Sequence, residues 1–467
     1  MKIEIKNIGK ISKAEVELEG ITVIAGKNNT GKSTVGKALY AMIDFLYGYK
    51  QYVENDIRST MFRYLNEYGE SLEVICKEYF EGTGRFRRKP SKINNIVTTY
   101  EEALYNCFVK HEKKRVKKIF QEYAKEYISI YKSNKIKCEN DAMIRLDNVY
   151  NEVIQFWNIK DGEVGIGKAT NAFDGVFNSQ INNMRNADDE AYVKFQDDFQ
   201  KVSEVFFKNN LCIWKEYNTP VFDLAYYVEN PRCLDIINRT PRYYDDIWDR
   251  FTKQRMQDIM RQRFKAILRP YGLNSRHMPI SLRKKNQNDE EYISDLDIAL
   301  LQKKQEEILK LINKAVPGKY NYENGIVKYS EPNTDYSLKL ENLSTGLKSM
   351  ILIERMISLG LLCEGSILIL DEPEINVHPE WQVLYANIIV MLQQIYNAKI
   401  VITTHSPYFI KAIKSYAIKE KTLEKCRFYL AEDVDGVCEI NDVTKNTNLI
   451  FKELADPIKD LKEMEYE

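Results

Sequence analysis

The sequence predicts an α/β fold, a mixed sheet flanked by helices with antiparallel strands at its N-terminus, split by a large, mainly helical insertion. Three observations predict it. Short strand patterns over residues 2–25 run straight into a Gly-rich turn and then an amphipathic helix. Two later apolar runs, at 366–370 and 400–402, stop abruptly at polar or acidic residues. That is how buried parallel strands end at the ligand-binding edge of an open sheet. Between these parts lies a long charged stretch with apolar residues at helical spacing.

In chain order, Ile3, Ile5 and Ile8 form a first alternating strand, and Ala14, Val16 and Leu18 a second. The run Ile21-Thr22-Val23-Ile24-Ala25 is apolar enough for a buried third. After the turn, Val35, Leu39, Met42, Ile43 and Leu46 recur at helical spacing. Residues 1–48 are therefore read as the first part of the α/β core. Residues 49–215 are read as the helical insertion, with Leu104, Phe108, Ile119, Phe120, Tyr123 and Tyr127 as core stripes. Residues 216–314 hold a strand at 220–229 that returns to the core, followed by a basic helical segment. Residues 315–467 complete the core: an Asn324-Gly325 turn predicts a hairpin, and helices alternate with buried strands beyond it.

Composition bounds what such a chain can be. With 467 residues, 44% hydrophobic and 29% charged, it has material for one large or two moderate cores and does not read as disordered. Lys plus Arg equals Asp plus Glu at 68 each, so no global field draws the molecule to nucleic acid or to an anionic membrane. The eight cysteines are scattered without Cys-x-x-Cys or Cys/His zinc spacing, which fits a reducing cytoplasm. The N-terminus lacks the apolar core of a signal peptide, and no run reaches the ~18 apolar residues of a membrane span. A cytoplasmic location without membrane contact is expected.

Gly26-Lys27-Asn28-Asn29-Thr30-Gly31-Lys32-Ser33 satisfies G-x-x-x-x-G-K-[ST] at every fixed position, with Thr34 leading into the helix. A triphosphate needs many converging donors. Glycines let backbone N–H groups turn inward, and the helix points its positive end at the anion. Lys32 would reach the β- and γ-phosphates, and Ser33 Oγ would ligate Mg²⁺. A chance Gly-Lys-Ser turn is the bland alternative, weakened by the strand before and the helix after.

At the end of the strand 366–370, Asp371 would hold magnesium through water and Glu372 would act as general base. The competing reading is a solvated turn before Pro373. Ser344 and Gly346 open the helix preceding that strand: Ser344 as an N-cap, Gly346 where backbone could approach an anion. Ordinary capping would explain them equally. His405, at the tip of the strand beginning at Ile400, could touch the γ-phosphate, although a lone histidine is more often structural.

Taken in order, these pieces resemble the ABC-type ATPase head of the SMC, RecF and OLD-like group of P-loop NTPases, in the branch of AAA-family ATPases found in bacterial antiphage defence systems. Residues 26–33 look like its Walker A, 343–348 its signature motif, 368–372 its Walker B, and His405 its switch histidine. The stretch 371–381, with His378, Pro379 and Trp381, is especially similar to the OLD-like Walker B plus D-loop. The resemblance covers 1–48 and 315–450.

It implies ATP and Mg²⁺ as cofactors, with Lys32, Glu372 and His405 catalytic and Ser33 and Asp371 on the metal. It places Gly26, Asn28, Asn29, Thr30, Gly31, Lys32, Ser33 and Thr34 on the nucleotide. It also implies an ATP sandwich with a second copy, in which Ser344 and Gly346 act in trans. A physical reason agrees: a P-loop and one acidic strand leave one side of the triphosphate open, and hydrolysis wants charge stabilisation from both. The sequence departs from the family at His378, where many relatives have aspartate, and in reading Ser-Thr-Gly in the signature. The Q-loop glutamine is not identifiable. About sixty residues follow His405, fewer than the ~100 typical of a domain, so no Toprim nuclease domain is expected.

A basic stretch from Arg250 to Lys285, with Phe251, Phe264 and Tyr271 interleaved, could track a phosphate backbone or be a solvated face. A split cluster from Arg85 to Lys92 and Lys110 to Lys118 is less sharp. The leading reading is an ATP-hydrolysing dimer that regulates a partner effector encoded nearby, in antiphage defence. The alternative is a DNA-binding repair or DNA-structuring ATPase of RecF or SMC type. A transporter subunit and a non-hydrolysing scaffold are less favoured readings.

Overall fold

A computed structural model describes residues 1–81, 92–131, 133–159, 163–185, 189–218, 225–229, 295–323, 326–334, 336–358, 362, 365–434 and 436–454. The chain opens with β1 (Lys2–Ile8), β2 (Ile11–Glu17) and β3 (Ile21–Gly26), followed by α1 (Lys32–Leu46). Four helices follow, α2 (Tyr49–Glu78), α3 (Ile93–Val109), α4 (Val116–Ser129) and α5 (Lys135–Gln155), and then α6 (Ile166–Phe177). Strands β4 (Ala191–Gln196), β5 (Val202–Lys208), β6 (Leu211–Glu216) and β7 (Ala225–Val228) precede α7 (Asp295–Ala315). The remainder runs β8 (Lys319–Glu323), β9 (Ile326–Ser330), β10 (Ser337–Lys339), α8 (Thr345–Ser358), β11 (Ile367–Asp371), α9 (Pro379–Tyr396), β12 (Lys399–Thr404), α10 (Pro407–Lys419), β13 (Cys426–Val434) and β14 (Val437–Asp442).

An interior parallel strand is covered on both faces and must be apolar throughout. Every residue of β3, β7 and β11 is buried, as are all of β12 beyond Lys399. These strands and β13 run parallel in the order β13-β3-β12-β11-β7. The antiparallel half continues beyond β13 as β14-β2-β1-β4-β5-β6, where β14 runs parallel to β2 and every other neighbouring pair is antiparallel. There one face is buried: Ile3 and Ile5 alternate with polar residues on β1, and Ala191, Val193 and Phe195 do so on β4. Register sets the functional edge. Ala25 lies opposite Thr404 and Asp371 opposite Thr403, so β3, β11 and β12 finish together.

The chain divides into two units, Met1–Tyr47 with Ile166–Glu467, and Gly48–Gly165. Helices α2 to α5 lie in the unit Gly48–Gly165 and α6 follows at Ile166–Phe177, whereas strands occupy 191–216. Strands β4 to β6 extend the large sheet where helix was expected. The reason is a period-2 alternation over 191–208 and an Asn209-Asn210 turn, both residues at positive φ (50° and 63°), which suits a tight hairpin.

In the helical unit, Leu65, Tyr68, Leu104, Phe120 and Tyr123 are fully buried in one core. Its tyrosines keep their hydroxyls satisfied: Tyr68 donates to Ala142 O at 2.9 Å and Tyr123 to Leu65 O at 3.0 Å. A Cβ on Gly69 would lie 2.6 Å from the Tyr123 hydroxyl, so only glycine lets α2 approach α4 this closely. The small sheet β10-β9-β8 contains the predicted hairpin, with Glu323 facing Ile326, although Asn324 and Gly325 lie outside the described residues. The basic stretch from Arg250 to Lys285 and the residues from Arg85 to Lys89 also lie outside them. Among the described residues no helix is long and apolar enough to cross a membrane.

Phe120→Ala should remove about 3–5 kcal/mol from unfolding of the helical unit, since an aromatic side chain is lost from a packed core. Denaturant titration followed by far-UV circular dichroism checks this. A loss below about 1 kcal/mol would mean that the site collapses or is not a packed core.

Candidate active site

The loop between β3 and α1 is shaped by its glycines. A Cβ on Gly26 would strike the Ala431 carbonyl oxygen of β13 and lie 3.0 Å from Thr30 Oγ1. Gly31 sits at φ 80° as the N-cap of α1, without a side-chain cap, and leaves the first amides of the helix for an anion. Thr30 is buried and donates to Lys27 O at 2.8 Å, while Thr34 N–H donates to Gly31 O at 3.0 Å. Asn28 and Asn29 are exposed, and Asn29 O accepts from Lys10 Nζ at 3.3 Å.

The predicted catalytic residues of loop, acidic strand and switch strand meet at the shared edge. Ser33 Oγ donates to Asp371 Oδ1 at 2.8 Å across 338 residues of sequence. Lys32 is 3% exposed; its Nζ donates to Lys27 O at 2.6 Å and lies 3.6 Å from Glu372 Oε1. Burial pulls its ammonium below the ordinary lysine value, opposed by Glu372 and Asp371. His405 Nδ1 lies 3.5 Å from Glu372 Oε1 and 3.7 Å from Glu374 Oε1. These are ion-pair distances; among the described residues Nδ1 has no hydrogen-bond partner. Glu372 raises His405 above the ordinary histidine range, and His405 in turn, with Lys32, holds Glu372 below the usual carboxylate range.

Sequence reasoning missed three residues here. Tyr227 donates its buried hydroxyl to Asp371 Oδ2 at 2.7 Å, and Thr403 Oγ1 donates to Asp371 Oδ1. Burial raises the Tyr227 hydroxyl well above the ordinary tyrosine value, so it stays a donor. Glu374 is 3% exposed and accepts from Thr404 Oγ1 and from His405 N–H at 3.1 Å. The paired threonines closing β12 and the third acid of Asp-Glu-Pro-Glu were available signals. Tyr227 had none beyond its place in the expected return strand.

Glu372 has a left-handed backbone, φ 48°, held by its N–H donating to Thr403 O at 3.0 Å and to Thr403 Oγ1 at 3.2 Å. His378 accepts from Glu380 N–H through Nδ1 at 3.4 Å and caps α9, a task a D-loop aspartate could equally perform. Ser344 is exposed and caps α8 by accepting from Leu347 N–H at 3.3 Å. A Cβ on Gly346 would lie 3.2 Å from the Trp381 ring. Among the described residues no hydrogen bond or ion pair joins Ser344 or Gly346 to the loop 26–34.

Ser33 and Asp371 offer hard oxygen donors suited to Mg²⁺. Among the described residues no group of three or more His, Cys, Asp or Glu could hold a metal. Two such oxygens suit an ion that takes its other ligands from phosphate and water. Beside Ser33 and Thr34 opens a cleft of about 580 Å³, whose lining includes Lys10, Asn29, Phe177, Asn182 and Arg185.

A glycine-shaped loop after a central parallel strand, an adjacent Ser–Asp pair and a Lys–Glu–His array together define a nucleotide-binding head of the P-loop class. The chain belongs to the AAA ATPase domain family, which matches residues 1–410. The chain is also similar to the SMC head domain from Thermotoga maritima, at 11% identity and a TM-score of 0.34, with 95% of this chain and 98% of that one covered. It is similar to the Smc head domain with an extended coiled coil, bound to the C-terminal domain of ScpA, from Pyrococcus furiosus. There identity is 11% and the TM-score 0.31, covering 99% of this chain and 98% of that one. For the Smc head domain with a coiled coil and joint from Pyrococcus yayanosii the values are 10% and 0.33, covering 98% and 99%.

His405 should titrate above an ordinary histidine, and Glu372→Gln should lower its midpoint, as read by NMR of ¹³C-labelled histidine. Because the folded value is raised, the stability this contact contributes is full below the unfolded value of about 6.5 and is lost as pH rises through the folded midpoint. A midpoint unmoved by Glu372→Gln would show that the two groups do not interact.

Proposed function

We propose that the protein is an ATP-binding, ATP-hydrolysing head of ABC and SMC-like type that closes around ATP with a second copy of itself. The contact from Ser33 to Asp371, with Lys32, Glu372 and His405 beside it, carries this reading. The loop amides and Lys32 cradle the triphosphate, and the cleft beside Thr34 receives the nucleoside. Ser33 and Asp371 would hold magnesium, which would supply charge neutralisation at the phosphate oxygens; Tyr227 keeps the second Asp371 oxygen in place.

Lys32 cannot serve phosphate and Glu372 equally. Before nucleotide arrives it lies 3.6 Å from Glu372 and adds to the larger influence of His405 in holding that carboxylate below its usual range, which makes it a poorer base. Drawn onto the γ-phosphate, Lys32 relaxes its hold, and Glu372 is freed to orient and deprotonate the attacking water. His405 Nδ1 lies 3.5 Å from the same Glu372 oxygen that Lys32 approaches, where it is read as meeting the leaving phosphate.

On the family resemblance, Ser344, exposed at the start of α8, and Gly346 beside it are read as acting on the partner's nucleotide. In the cell this cycle would govern a partner effector in antiphage defence, a reading that rests on the family resemblance.

Glu372→Gln should lower ATP turnover at least ~100-fold, the scale of general-base help, while ATP binding and an ATP-held dimer persist in light scattering. Unchanged turnover removes Glu372 from this role. Lys32→Ala and Ser344→Ala should each be inactive alone but regain activity when mixed, because one of the two composite sites is then intact. Mixtures no more active than their parts would exclude action in trans.

A further inference from the structure

Glu374 is a buried acid that the proposed hydrolytic cycle does not use. One of its oxygens, Oε1, accepts from Thr404 Oγ1 and from His405 N–H at 3.1 Å; the other is buried with no hydrogen-bond partner among the described residues. An ionisable group this deeply placed is costly unless donors meet its oxygens, and here they meet only one. Burial raises its carboxyl above the usual carboxylate range.

The bonds around it form a closed circuit. Thr404 Oγ1 accepts from Ser406 N–H at 3.0 Å, and Ser406 Oγ donates to Gln382 Oε1 at 3.1 Å. Gln382 Nε2 returns to the acidic loop, donating to Val377 O at 2.9 Å and to Glu374 O at 3.4 Å. Phe409 N–H donates to Ser406 Oγ at 3.2 Å and so ties in the start of α10. The circuit joins the loop after β11, helix α9 and the tip of β12, and His405 is the residue it holds at that tip.

We propose that Glu374 is a positioning residue that fixes the backbone and imidazole of His405 against Glu372, through Thr404 Oγ1 and the His405 N–H. Glutamine keeps an acceptor oxygen at the same place, whereas alanine removes it and leaves Thr404 and His405 N–H without a buried partner. The inference rests on the hydrolytic reading for its kinetic consequence and on geometry alone for its structural one.

The test uses the full chain and has two readouts. In ¹³C-histidine NMR without nucleotide, the His405 ring signal should move in Glu374→Ala and return towards wild type in Glu374→Gln; an unmoved signal in Glu374→Ala overturns the proposal. In ATP turnover, Glu374→Ala should lower kcat at least about tenfold with KM changed less than about threefold, Glu374→Gln should recover most of it, and Glu374→Ala should add little to His405→Ala, as for residues acting as a unit. Multiplicative effects of the two alanine substitutions, or Glu374→Gln as impaired as Glu374→Ala, overturn it. A wild-type protein without turnover would instead sink the hydrolytic reading and leave the NMR result to decide the positioning role.

Discussion

Both oxygens of Asp371 are engaged: Ser33 and Thr403 donate to one, Tyr227 to the other. The side chain is 6% exposed, and a carboxylate in such a place is stable only with its lone pairs met. The three donors come from α1, β12 and β7, elements that approach only because β7, β11, β12 and β3 run parallel in register. A one-residue slip between β11 and β12 would turn Thr403 away from Asp371 and face the wrong side chains into the core. Sheet register and site assembly are thus one constraint.

That constraint also arranges charge. Lys32 at the start of α1 and His405 after β12 both approach Oε1 of Glu372, at 3.6 and 3.5 Å, because β3, β11 and β12 finish at the same level. Each neighbour stabilises the ionised form of the next, while burial of Lys32 opposes its own charge. Lys32 is the member with least solvent, so it has most to gain from a phosphate partner.

What was legible in the sequence was whatever chemistry writes locally. The loop 26–33 needs glycines and a lysine at fixed spacing, and the apolar run to Asp371 and Glu372 announces a buried strand with an acidic end. Tyr227 was illegible because its role depends on pairing across 144 residues, which no local pattern records. Strands β4 to β6 were readable but misread: their aromatics Phe195, Phe206 and Phe207 continue the look of the helical stripes before them, although their period is 2 and not 3.6. The Asn209-Asn210 turn was the deciding clue, and Asn210 does further work by accepting from Ile181 N–H and Asn182 N–H.

Strand β12 ties these threads together. Thr403 holds Asp371 through its hydroxyl and fixes the left-handed backbone of Glu372 through the same hydroxyl and its carbonyl. Thr404 holds Glu374, and His405 follows directly. The residues read as metal ligand, base and phosphate sensor are therefore all referenced to one strand tip, and none can shift independently of it. Glu372 keeps an unfavourable φ of 48° only while Thr403 supplies both acceptors, so a displacement of β12 would be felt first as a change in the direction of the base. Two backbone steps and a pair of hydrogen bonds connect His405 to Glu372 through this tip, so the directions of the two side chains are set by one element.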